Sequence, residues 1–266
     1  MQARTIDAET WRRSGASRSV VEMGALVALA TAYTLIRAAQ GTNPAQAIHH
    51  SHLILQIQGP AITHAELAWN HWLAGIPALA VPACYFYALF HYAATPLILY
   101  LSWRHGGWIH TRGYWTLIIA SAIGLLVYAT FAAAPPRLMP DLHTIDVMRK
   151  FASYGWWSDA ASAPRGIGDA TNQYAAMPSL HFGWSLWCAV QMWSFAGRHL
   201  RWWRTAAIAY PTLQVLVVIG TGNHFLLDVL GGAACVGLAL LIVSLAGRRS
   251  ARALSVRQRQ ESRPER

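Results

Sequence analysis

Residues 222–246 read GNHFLLDVLGGAACVGLALLIVSLA. From Leu226 to Ala246 the only charge is Asp228. A helix needs roughly 20 apolar residues to cross a bilayer. This stretch therefore reads as a membrane span, with Asn223, His224 and Asp228 gathered at its start. A carboxylate in such a segment is costly, so it marks a functional site by default.

Other apolar stretches run from about 20–36, 76–101, 114–134, 177–195 and 205–220. With the first they predict an all-α, polytopic membrane protein of six transmembrane helices. Composition agrees. Of 266 residues, 55% are hydrophobic and 12% charged, about half the charge of an ordinary soluble protein. An ordinary soluble globule and a disordered chain are both excluded. Cys84, Cys188 and Cys235 all fall inside apolar runs, which argues against a disulfide framework.

The 21 Lys and Arg residues are unevenly placed. Four precede the first span, two lie in the second loop, three in the fourth and seven in the tail, so sixteen share one side. The other side keeps Arg37, Arg137, Arg149, Lys150 and Arg165. The positive-inside rule then predicts a cell-membrane protein with both termini cytoplasmic. The net charge of +10 is an orientation signal, and no nucleic-acid partner is expected.

Three parts follow. Residues 1–19 form a cytoplasmic N-terminal segment, 20–246 a six-span catalytic domain, and 247–266 a basic, disordered cytoplasmic tail. Basic residues before an apolar run also describe a signal peptide, and Arg37-Ala38-Ala39-Gln40 resembles a cleavage site. The length of the run favours an uncleaved span. Residues 43–75, with Trp69 and Trp72, read as interfacial helices, and about 135–176 as the active-site loop. His49, His50 and His52 suggest a metal site less well than polar residues beside headgroups. Asp141, Asp146, Asp159 and Asp169 show no metal-binding spacing, so neither metal nor cofactor is expected.

Span parity gathers the polar residues. The third span exits where the fourth and sixth begin, which puts Arg137, Ser179, His181, His224 and Asp228 at one extracytoplasmic face. His224 and Asp228 are four apart and share a helix face. The carboxylate fixes the imidazole tautomer and leaves a lone pair for nucleophilic attack. His181 supplies a proton to a leaving oxygen. Arg137 offers a permanently charged fork for phosphate oxygens. The Pro178-Ser179 turn presents a hydroxyl and helix N-terminal amides to an anion. Together these suit metal-free phosphoryl transfer.

Pro178-Ser179-Leu180-His181 resembles the Pro-Ser-x-His motif of the type 2 phosphatidic acid phosphatase superfamily. Gly222-Asn223-His224-Phe225-Leu226-Leu227-Asp228 resembles the end of its last motif. Asn172-Gln173-Tyr174-Ala175-Ala176-Met177 and Ala134-Pro135-Pro136-Arg137 are more similar to a bacterial branch like inositol phosphorylceramide synthase, the aureobasidin-resistance type. The resemblance implies that His224 forms a phosphohistidine and Asp228 orients it. His181 protonates the leaving group and then activates water or an alcohol. Arg137 holds phosphate, helped by Ser179, Pro178 and Asn223.

Two departures stand out. The common first motif has a Lys seven residues before its Arg and a Pro after it; here these are Thr130 and Leu138. The common last motif has Ser-Arg where this chain has Val217 and Val218. These losses favour the synthase-like branch, and Arg149, Lys150 or Arg165 are candidates to compensate. The expected activity is hydrolysis of a lipid phosphate or diphosphate: a polyprenyl diphosphate, a phosphatidylglycerol phosphate or phosphatidic acid. Transfer to an alcohol such as inositol is the alternative. A transporter fits less well, because the polar residues collect at one face. A metal-dependent hydrolase also fits less well, because one carboxylate accompanies the histidines. Gln191 and Gln214 are expected to bond between helices, His91 equally to do so or to line a lipid pocket, and Arg201-Trp202-Trp203-Arg204 to anchor the interface.

Overall fold

A computed structural model describes residues 8–39, 43–157, 173–195 and 201–261. Its helices are α1 (Ala8–Ala39), α2 (Pro44–Gln58), α3 (Pro60–Ala74), α4 (Pro77–Tyr85), α5 (His91–His105), α6 (Gly107–Thr130), α7 (Val147–Lys150), α8 (Leu180–Phe195), α9 (Arg201–Gly220) and α10 (Leu226–Glu261). A π-helical turn, Phe86–Phe90, joins α4 to α5. Pro44, Pro60 and Pro77 open α2, α3 and α4, where the missing N–H costs nothing. Between α2 and α3 the chain turns at Gly59, whose φ of 80° a side chain would resist.

Among the described residues, four helices are long and apolar enough to cross a membrane: Ser19–Ile36, Pro77–His105, Gly107–Thr130 and Leu226–Arg249. They support a multi-pass membrane protein. Helices also form at the fourth and fifth expected spans, without meeting that measure. α8 has 16 residues, short of the roughly 20 a crossing needs. α9 opens on Arg-Trp-Trp-Arg, which dilutes its apolar content.

Beyond the span, α10 continues as far as Glu261. Residues 248–261 contain no Gly or Pro and five Arg, with Ala, Gln and Leu among the rest. A helix already nucleated by the span propagates through such residues.

α8 packs against α5, α6, α9 and α10. Trp187 and Cys188 are buried on it, and Trp187 Nε1 donates to the Gly113 carbonyl on α6 at 2.7 Å. α1 lies outside this group and packs on α6. Val20, Val21, Val27 and Leu35 remain exposed, as lipid-facing residues would. A polar clasp fastens α1. His110 Nε2 lies 3.0 Å from both carboxylate oxygens of Glu22, and the Tyr114 hydroxyl donates to the Glu22 carbonyl.

The α2–α3 hairpin covers the end of the bundle where α6 ends and α8 and α10 begin. Asn70 donates to the Ile145 and Gly220 carbonyls, each at 2.9 Å, and accepts from the Ile145 amide. Trp69 Nε1 donates to the Leu216 carbonyl. The hairpin histidines are not simply headgroup-facing. His50 stacks on Phe131 and donates from Nδ1 to the Ala132 carbonyl at 2.7 Å. His52 pairs with Asp141 at 2.9 Å, and that bond holds the Asp141 carboxyl below its ordinary pKa.

Candidate functional site

The site is assembled by backbone bonds between segments distant in sequence. The Ala133 amide donates to the Tyr174 carbonyl and the Ala176 amide to the Ala133 carbonyl, forming an isolated parallel bridge, Ala133 to Ala175. From α2, Ala47 accepts the Ala134 amide, and the Ser51 hydroxyl reaches the Ala134 carbonyl at 2.8 Å. Residues after α6 and residues before α8 are thereby pinned to each other and to the hairpin.

Ser179 opens α8 as its cap: Oγ accepts the Phe182 amide at 3.3 Å. Its own amide donates to the Asp228 carbonyl at 2.8 Å, tying α8 to α10. The two helices meet backbone to backbone. A Cβ on Gly232 would lie 2.3 Å from the Ser179 carbonyl oxygen. Pro178 is buried, and its carbonyl accepts the Tyr128 hydroxyl at 2.7 Å. Ser179 is fully buried, so its part here is that of a helix cap and an inter-helix tie.

At the start of α10 every backbone amide from Asn223 to Leu226 has a partner. Asn223 and His224 donate to the Val218 carbonyl at 3.0 and 3.1 Å. Phe225 donates to Asp228 Oδ2 at 2.8 Å, the reach-back half of a capping box. Leu226 donates to Glu66 Oε1 at 2.5 Å. An anion at this turn would have to be held by side chains. The turn also explains Val217 and Val218. Both are buried in the core, and the Val218 carbonyl anchors the turn that carries His224.

His224 is 4% exposed and Asp228 fully buried. The expected bond between them takes another form. His224 Nδ1 donates to the Ala176 carbonyl at 2.9 Å, while Asp228 Oδ2 lies 3.4 Å away and bonds the Phe225 amide. The main-chain carbonyl is the closer acceptor, so it sets the tautomer; the carboxylate supplies negative charge beside the ring. Asp228 Oδ1 is buried without a partner among the described residues.

His181 lies beside His224, ring centroids 5.8 Å apart. Tyr87 stacks on it at 4.4 Å and His91 meets it edge-on at 4.4 Å. Tyr87 lies in the π-helical turn and His91 closes it. Such turns re-aim side chains and recur at functional sites. His91 therefore lines the site, and its Nδ1 donates to the Tyr87 carbonyl of its own helix.

Arg137 joins the group through Asn223. Its amide donates to the Gly222 carbonyl at 2.9 Å and its Nε to Asn223 Oδ1 at 2.8 Å. The Asn223 amide nitrogen in turn donates to Thr221 Oγ1. Of the other candidate cations, Lys150 is engaged elsewhere, donating to the Ala74 carbonyl at the end of α3. The Arg149 amide donates to Asp146, which caps α7. Arg165, Asn172, Asp159 and Asp169 lie outside the described residues.

Glu66 escaped the sequence reading. A signal existed: it is the sole acidic residue between Glu22 and Asp141. It lines a cavity of about 10 Å³ with Thr63, Asn70, Thr144 and His224, room for about one water. Burial pushes its carboxyl up to about 7, against the pull of its bonds to the Leu226 amide and Gln58; nearby Asp228 adds to the rise. The two buried glutamines of α8 and α9 diverge. Gln191 donates to Ser102 between helices at 2.9 Å, whereas both polar atoms of Gln214 are buried without a partner among the described residues. Among the described residues there is no group of three or more His, Cys, Asp or Glu placed to hold a metal ion.

Apolar helices thus carry two imidazoles, a carboxylate and a guanidinium at one end, an arrangement suited to handling an anionic group at a membrane surface. The chain belongs to the PAP2 superfamily, whose profile matches residues 52–242. Membership supports phosphatase-type activity, hydrolytic or transferring, at the level of the family, in a membrane-associated protein. Neither the curated proteins nor the solved structures gave a match.

Proposed function

We propose that the chain is a metal-independent lipid phosphatase that works through a phosphohistidine on His224. One observation carries the reading: Nδ1 of His224 is committed to the Ala176 carbonyl at 2.9 Å. The proton sits on Nδ1, so Nε2 holds the lone pair that attacks phosphorus. The bond from phosphorus to the lipid oxygen breaks, and His181 delivers its proton to that oxygen. In the second step His181 takes a proton from water, whose oxygen displaces Nε2 and releases phosphate. Arg137, aligned by Asn223, compensates phosphate charge, and Asp228 the positive imidazole. Pro178 and Ser179 shape the turn that carries His181.

The substrate class is a lipid phosphate or diphosphate drawn from the bilayer. The distribution of basic residues supports both termini in the cytoplasm and the site at the extracytoplasmic face. In this arrangement α8 and α9 complete six crossings within residues 20–246, α8 by sharing its ends with the capping loops.

A second reading, transfer of a phosphoryl head group to an alcohol such as inositol, is favoured by one observation. Val217 and Val218, where the common motif has Ser-Arg, are buried in the core. Phosphate release from a panel of lipid phosphates in detergent, with EDTA and with labelled inositol, separates the readings. Release that survives EDTA supports the phosphatase. A labelled phosphoinositol product supports the transferase. Activity lost with EDTA and restored by metal overturns the metal-free mechanism.

A further inference from the structure

We propose that Glu66 is a positioning residue for His224: from α3 it holds the first amide of α10 and so fixes the turn that aims the imidazole. The proposal rests on the reading of His224 as nucleophile. The geometry is specific. Two consecutive amides follow His224, and each is taken by a different carboxylate. Asp228, from within α10, takes Phe225 at 2.8 Å. Glu66, from another helix, takes Leu226 at 2.5 Å. A helix N-terminus leaves its first N–H groups unsatisfied and carries partial positive charge, so both bonds are favourable.

Glu66 is itself held. Its Oε2 lies 2.6 Å from Gln58 Nε2, and Gln58 also donates to Thr63 Oγ1 at 3.2 Å. The chain of contacts runs from α2 through Gln58 to Glu66, to Leu226 and so to His224, two residues earlier. Glu66 and His224 both line one water-sized space. Thr144 Oγ1, on the same cavity, is buried without a partner among the described residues. Such a space, with polar walls, suits one water that links the two. The Leu226 bond needs only an acceptor oxygen at Oε1, which a glutamine also provides.

The test compares Glu66→Ala, Glu66→Gln and Leu226→Pro. Proline at the first helical position removes the amide while leaving the helix intact. Glu66→Ala is expected to lower kcat about 10- to 100-fold, with KM within about twofold, as supporting residues around reacting groups do. Glu66→Gln is expected to stay within about threefold of wild type, since the acceptor remains. Leu226→Pro should match Glu66→Ala, and the double variant should be no worse than either, because both remove one bond. Additive losses, equal loss in Glu66→Ala and Glu66→Gln, or a change confined to KM would each overturn the proposal.

A second measurement does not depend on lipid hydrolysis. In ¹⁵N-histidine-labelled protein in detergent, the His224 signals, assigned by His224→Gln, should report the Nδ1–H tautomer. Glu66→Ala should mix the tautomers and Glu66→Gln should not. A spectrum unchanged by Glu66→Ala overturns the positioning role. Absence of activity on every lipid phosphate, with the tautomer shift still seen, instead overturns the phosphatase reading alone.

Discussion

Arg137 Nε donates to Asn223 Oδ1 at 2.8 Å, so the guanidinium is clamped by the residue immediately before His224. The bond spans 86 residues of chain, and in the proposed mechanism it fixes where a phosphate would meet the imidazole. Arg137→Lys keeps the charge but loses the planar fork. It should lower kcat/KM by about 100-fold, in the range of a lost electrostatic partner. Asn223→Ala frees the same guanidinium and should cost about tenfold by misplacing it. The double variant should cost less than the product of the two, because they share one interaction. Steady-state kinetics on a single lipid phosphate checks all three.

Gly232 sets the approach of α8 to α10. A Cβ there would fall 2.3 Å from the Ser179 carbonyl oxygen. Gly232→Ala should part the helices, break the Ser179–Asp228 backbone bond and cost about 2 kcal/mol or more of stability. Gly237→Ala, with nothing within 4 Å of the added carbon, is the control. It should be neutral or stabilise by up to about 1 kcal/mol. Thermal unfolding in detergent distinguishes them.

The Glu66 carboxyl is raised from 4.5 to about 7, chiefly by burial. Between these values the folded chain holds a proton that the unfolded chain has released, so this residue's contribution to stability falls as pH rises through the window. Partial exposure reduces the effect to about 1–2 kcal/mol. Glu66→Gln leaves its neighbours Asp228 and His224 in place. Wild type should therefore lose thermal stability relative to Glu66→Gln between about pH 5 and pH 8. An unchanged difference across that range would show that Glu66 does not titrate there.

His110 holds Glu22 at 3.0 Å at the other end of α6 from the site, roughly 30 Å away by helix rise. His110→Ala removes one hydrogen bond from the Glu22 carboxylate and leaves a cavity beside it, and should cost about 1–3 kcal/mol. Turnover per folded molecule should stay the same. Denaturation in mixed micelles, paired with kinetics on the surviving fraction, measures both.

The sequence made the helical, membrane-associated fold and the convergence of the motif residues legible for a simple reason. Apolar runs have a length set by the bilayer, and costly polar residues at their ends stand out. The ends of Thr130, Leu180 and Leu226 helices do meet, joined through Ala133, Ala175, Ser179 and Asp228. What remained hidden depended on partners far apart in the chain. Periodicity gives no hint that a main-chain oxygen at Ala176 would take the His224 proton ahead of Asp228. Nor does it show that Glu66, on a hairpin expected to lie at the interface, reaches the start of α10. Polarity alone also left out of account the helix propensity of residues 248–261, through which α10 runs on to Glu261.

The central claim is that His224 forms a covalent bond to phosphorus. It is tested most directly by trapping that bond. Protein is mixed with a lipid phosphate labelled in its phosphate, quenched in alkali, digested and analysed by mass spectrometry. Phosphohistidine survives alkali, whereas phosphoserine and acyl phosphate do not. The account expects label on the peptide containing His224 in wild type. The label should be absent in His224→Ala and, when loaded with a substrate whose leaving group needs no proton, should persist longest in His181→Ala, where water is not activated. Label on any other residue, or turnover by His224→Ala at the wild-type rate, would contradict it.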